Sequence, residues 1–163
     1  MSDPDRSYVP GMNATKPRDT SSIIAGCCLG IILALVLGVG LASNLVLRHL
    51  VQTAPLWICV VLGFRHSRAT YWVGLPLFLF WLILMALIWA YLLGITRALS
   101  GHFSLIEIVM TLVVGASSII GMGSLIRSKL SFPLARASVL FVIMATLQLV
   151  CFRLSLLPSI AHR

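Results

Sequence analysis

Residues 20–47 and 69–96 each run 28 positions without an Asp, Glu, Lys or Arg. Residues 108–126 add a charge-free run of 19, and 49–64 and 137–152 add runs of 16 each. A hydrocarbon core takes about 20 apolar residues of helix to cross, so blocks of this length constrain the chain to a bilayer. A soluble domain carries about 25% charge. This chain of 163 residues carries 10%, is 60% hydrophobic and has a mean hydropathy of +1.05. Outer-membrane barrels alternate inward and outward side chains in strands of about ten residues, whereas apolarity here is continuous. The expected fold is all-α, a polytopic transmembrane helical bundle.

Acid is as scarce as charge is segregated. After Asp19 the remaining 144 positions hold one acidic residue, Glu107. Paired-carboxylate hydrolysis, a carboxylate metal cage, an Asp-oriented triad and an acidic proton wire all need more than one. The sequence has no G-x-S-x-G, H-E-x-x-H or phosphate-binding loop, so no catalytic residue and no cofactor is expected.

Residues 1–21 read as a disordered polar tail, interrupted by Pro4, Pro10, Gly11 and Pro17. Asp3, Asp5 and Asp19 make it a poor signal-peptide start. Residues 22–158 form one transmembrane domain and 159–163 a short tail. Within the domain lie five apolar segments, 23–41, 45–64, 71–95, 105–126 and 134–157. The second is the doubtful one, because it begins with Arg48, His49, Gln52, Thr53 and Pro55. The alternative is four spans with a short re-entrant or interfacial helix.

Loop charge favours five. With a cytoplasmic N-terminus the inner side holds Arg6, Lys16, Arg18, Arg65, Arg68, Arg127, Lys129 and Arg136, eight in all. The outer side then holds Arg48, Arg97, Arg153 and Arg163, four in all. Four spans would divide them six and six. Cytoplasmic loops carry the excess of Lys and Arg, so the expectation is five spans with opposite ends on opposite sides. The net charge of +8 is then matched by anionic lipid headgroups at the cytoplasmic face. No basic run is interleaved with aromatics, and nucleic acid is not an expected partner. Small size and short loops point to a bacterial-type inner membrane.

The first segment repeats small residues at Ser22, Gly26, Gly30, Ala34, Gly38 and Ala42. Small faces let helix backbones approach closely in lipid. Steps of four residues overshoot a helical turn by about 40° each, so a single straight partner cannot meet all six. The fourth segment carries its own small patch, including Gly115 and Gly121, and is the expected partner. Packing within the chain is the expected use; a seam to a second copy or to another membrane protein is the alternative. The third segment has no polar side chain between Trp72 and Trp89 except the Trp81 indole, and reads as a lipid-facing wall.

Glu107 tempts a transporter reading, since a lone intramembrane acid often couples to protons or cations. Ser104-Leu105-Ile106-Glu107 is, however, a capping box, with Phe103 and Ile108 placed for a hydrophobic staple. The expectation is a helix cap at Ser104 and Glu107, with Arg97 as counter-charge. Asn44 is read as an N-cap for the second span.

Cys27, Cys28, Cys59 and Cys151 form no C-x-x-C, and no His or carboxylate shares their depth, so no metal site is expected. The histidines fall at span ends or in loops. Asn13-Ala14-Thr15 is a formal glycosylation sequon on a tail expected to be cytoplasmic. The leading functional reading is a non-catalytic accessory or interaction subunit. A small oligomeric transporter or channel-like protein, with Glu107, Thr146 and Gln148 near its path, is the alternative.

Overall fold

The computed structural model describes residues 17–96, 104–128 and 134–161. The tail before Pro17, Arg97, His102, Phe103 of the staple, Lys129 and the last two residues lie outside the described residues. Helix α1 runs Pro17–Leu33 and continues without a break as a π-helical stretch, Ala34–Gly40. Then come α2 (Val46–Phe64), α3 (Ala69–Leu92), α4 (Leu105–Arg127), α5 (Leu134–Ser155) and the short α6 (Pro158–Ala161). Among the described residues there is no strand, and five helices are long and apolar enough to cross a membrane. Residues of the doubtful second segment form a 19-residue helix rather than a re-entrant piece.

Helix α1 begins ahead of the expected boundary at residue 22. Pro17 suits a first helical turn, where no amide partner is lost. Ser21, 2% exposed, is held inside by donating its hydroxyl to the Gly63 carbonyl of α2 at 3.0 Å. At the far end, α6 takes in part of the expected tail.

Three helix ends are closed by one device. After the first helix, Leu45 N–H donates to Gly40 O and Asn44 N–H to Leu41 O; after α2, Ser67 donates to Leu62 and His66 to Gly63; after α3, Ile95 donates to Ala90 and Gly94 to Tyr91. This double bond pattern needs one left-handed residue just past the helix. Asn44 (φ 56°), His66 (φ 52°) and Gly94 (φ 74°) supply it. The assignment of Asn44 as an N-cap is therefore corrected. It terminates the first helix, and Leu45, whose side chain makes no capping bond, precedes α2. The reason is that Asn tolerates left-handed backbone about as readily as it caps.

Tight turns make α1, α2 and α3 successively antiparallel. Helix α3 touches all four other long helices, and α4, α1, α2 and α5 follow one another in an arc around it. Among the described residues, helices α4 and α5 pack on α3 without touching each other. This limits the reading of α3 as a lipid-facing wall to one of its faces. Its face Gly74, Phe78, Trp81 and Met85 is buried in the core, while Leu79 and Ile83 lie outside. The inference from apolarity failed for the buried face because lipid and protein interior are equally apolar. Shape places α3 at the centre: Gly74 faces Cys59 of α2 and Ile24 of α1, and Phe78 lies over Gly121 of α4.

Candidate functional site

The largest concentration of buried polar side chains belongs to the helix whose polarity made it doubtful. His49, Gln52 and Thr53 stand three and four residues apart, so they share one face of α2. They are 8%, 5% and 0% exposed. Across from them α5 contributes Gln148 and Ser155, both fully buried. Gln52 Nε2 donates to Ser155 Oγ at 3.0 Å, and Gln148 Nε2 donates to the Gln52 carbonyl at 3.1 Å. Ser155 Oγ in turn donates to Phe152 O at 2.6 Å. Thr53 Oγ1 donates to His49 O at 2.8 Å. His49 Nδ1 meets Leu45 O at 2.9 Å, which puts a proton on Nδ1, since a carbonyl only accepts.

This seam is neutral along its length and ties α2 to α5. It can fix the register of two helices, since unpaired amides in an apolar interior are costly. It offers no carboxylate or thiol to reacting atoms. Sequence reasoning reaches Gln148, whose place in the fifth span suits an interhelical hydrogen bond, but it missed the α2 half of the seam, having read Gln52 as an argument against a span. The available signal was the buried-face spacing of His49, Gln52 and Thr53.

The three residues expected near a transport path are not brought together. Gln148 is inside, but Thr146, two positions away on α5, is exposed. Two residues along a helix are about 200° around it. Glu107 stands in the first turn of α4, where the capping box is complete. Ser104 N–H donates to Glu107 Oε2 at 2.7 Å, Ser104 Oγ donates to the same oxygen at 2.9 Å, and Glu107 N–H donates to Ser104 Oγ at 3.3 Å. Glu107 Oε2 and Ser104 Oγ are thus both engaged in holding the helix start. Ser104→Ala is expected to cost about 1 kcal/mol through the lost cap. Glu107→Gln keeps an acceptor and should be nearly neutral in unfolding of the purified protein. Equal losses for the two changes would mean that the carboxylate charge, not the cap, matters.

The small residues divide. A Cβ on Gly30 would meet Ser117 Oγ of α4 at 3.2 Å, and one on Gly38 would meet the Met110 side chain of α4 at 2.5 Å. Ala34, between them, is buried. Gly121 takes the Phe78 ring. Among the described residues nothing lies within 4 Å of a Cβ on Gly26 or Gly115, which corrects their assignment as packing residues within this chain. Drift accounts for Gly26, whose side of α1 has turned away from every neighbour. The π-helical stretch accounts for Gly38. Its hydrogen bonds close five residues on rather than four, so each residue turns the chain less, and Gly38 comes back to α4, the helix that Gly30 meets. Gly63 and Gly74 were missed. A Cβ on Gly63 would meet Ala25 Cβ at 2.7 Å and Ser21 O at 2.9 Å. Each is a single glycine in an apolar helical run, which is the only local signal for close backbone approach.

All four cysteines are free thiols. Cys28 and Cys59 are buried, and Cys59 Sγ points at Thr70 O at 3.9 Å. Among the described residues no three His, Cys, Asp or Glu side chains converge to hold a metal. No known family model, curated protein or solved structure matches this chain.

Proposed function

We propose that this is a multi-pass protein of a bacterial-type inner membrane that acts as a non-catalytic accessory or interaction subunit. The observation that carries the reading is the division of its small residues. Gly30, Gly38, Gly63 and Gly121 are used up in the bundle, while Gly26 and Gly115 stand open on its outside. In lipid an open glycine is where another helix can come close. The buried polar groups support the same reading, because they are spent on joining α2 to α5. The eight-to-four division of basic residues supports a cytoplasmic N-terminus. Partners are the bilayer, anionic headgroups on the cytoplasmic side, and a membrane protein that meets the open glycines.

Purification of the full chain in mild detergent tests the proposal. The expected result is a larger hetero-complex that Gly26→Leu or Gly115→Leu dissociates while the chain stays folded. In intact cells an impermeant thiol reagent should spare a cysteine introduced at Ser7 and label one at Ile160. A second reading, a small oligomeric transporter or channel-like protein, is favoured by the unpaired Gln148 Oε1 inside the bundle. A homo-oligomer that carries solute flux in liposomes, and loses it with Glu107→Gln, would replace the first reading with the second.

A further inference from the structure

Among the described residues several buried polar atoms, Thr70 Oγ1 and Arg48 Nε included, lack a hydrogen-bond partner, and two of them, on facing helices of the core, are of opposite kinds. Trp81 Nε1–H, on a side chain 1% exposed, only donates. Gln148 Oε1, on a side chain 0% exposed, only accepts. The fold brings them to one layer. Cys59 of α2 and Gly74 of α3 face each other, with Cys59 Sγ 3.4 Å from where a Gly74 Cβ would lie. The two helices are antiparallel neighbours. Moving seven residues from that contact toward the Asn44 turn, about 10 Å along each axis, leads to Gln52 on α2 and Trp81 on α3. Seven residues restore nearly the same face of a helix, and both side chains are buried. Gln148 is bonded to the Gln52 carbonyl.

The backbone of this layer is also loosened. Pro55 lies within the seven residues on α2 and Pro76 within those on α3. Pro55 has no N–H to give the Val51 carbonyl, which leaves a backbone acceptor beside Gln52 without its helical donor. Buried polar groups are nearly always paired, with protein or with a bound molecule. One donor and one or two acceptors call for a group that both accepts and donates, and the smallest neutral group that does so is a hydroxyl. A hydroxyl accepts with its oxygen and donates with its hydrogen.

We infer that Trp81 and Gln148 form a buried site for one neutral hydroxyl group, which accepts from the indole N–H and donates to the amide carbonyl. Water, which typically makes about three such bonds in protein interiors, and the hydroxyl of a small alcohol share this chemistry. A cation is not suited, because the indole N–H would face it. An anion is not suited, because the amide oxygen would.

Nuclear magnetic resonance on the full chain, with nitrogen-15 in its indoles and held in detergent micelles, tests the inference. The Trp81 indole signal is assigned by subtraction, using Trp57→Phe, Trp72→Phe and Trp89→Phe. In buffer alone the expected result is a cross-peak from the Trp81 indole proton to water, lost in Gln148→Met. A cross-peak that appears only after addition of 1-butanol, and to its non-exchanging C1 methylene protons, assigns the site to an alcohol. Absence of a cross-peak to water or to the alcohol in the wild-type chain overturns the inference, whether or not Gln148→Met folds.

Discussion

Gly63→Leu is expected to prevent the chain from folding into a monodisperse species, while Gly26→Leu leaves the folding of the chain itself close to wild type. The two changes add the same side chain to helices α2 and α1, which pack on each other. At Gly63 even the first added carbon would lie 2.9 Å from a backbone oxygen, Ser21 O, and 2.7 Å from Ala25 Cβ. Neither is the end of a flexible chain, so the helices themselves must separate. That would also break the bond from Ser21 Oγ to Gly63 O. Overpacking typically costs about 1–3 kcal/mol and occasionally more, and a rigid backbone contact belongs at the upper end. At Gly26 there is open space. Size-exclusion chromatography and resistance to added SDS read the difference. If both variants behave alike, the α1–α2 crossing is not where the structure puts it.

Gly121→Ala should be the most damaging single-methyl change in α4, and Phe78→Leu in the same chain should restore part of the loss. The added methyl would overlap the Phe78 ring. Phe78 is fully buried, so the ring has no free rotamer to move into. The expected cost is about 1–3 kcal/mol. Phe78→Leu relieves the clash but gives up aromatic volume, so rescue is incomplete. The control is Gly115→Ala on the same helix, which meets nothing and should be neutral or stabilising by up to about 1 kcal/mol, since alanine is the better helix former. Thermal or SDS-induced unfolding of the three proteins in one detergent decides it. A Gly121→Ala protein as stable as Gly115→Ala would remove α3 from the centre of the bundle, because Phe78 on Gly121 is one of the contacts that hold it there.

The contrast between these glycines marks how far the sequence reaches. Ser104 and Glu107 were legible because a capping box is built by four consecutive residues, whose geometry depends on nothing distant. The five long helices were legible because length and continuous apolarity are summed along the chain. Gly26 and Gly30 were not distinguishable, since a repeat of small residues records spacing but not which helix stands opposite. The π-helical stretch at Ala34–Gly40 then changed the winding itself, and no residue type in ALVLGVG announces it.

Alone, the sequence determined the class of fold, the approximate extent of each long helix, the cap on α4 and the lack of paired carboxylates. These follow from composition and from contacts a few residues apart. Only the tertiary structure decided that α3 lies at the centre, that α4 and α5 stay apart, and that Gln52 meets Ser155 and Gln148 over roughly a hundred residues of chain. In an apolar solvent hydropathy no longer tells inside from outside. Placement then rests on shape and on pairing every buried polar group, and both are properties of surfaces that exist only once the helices have come together.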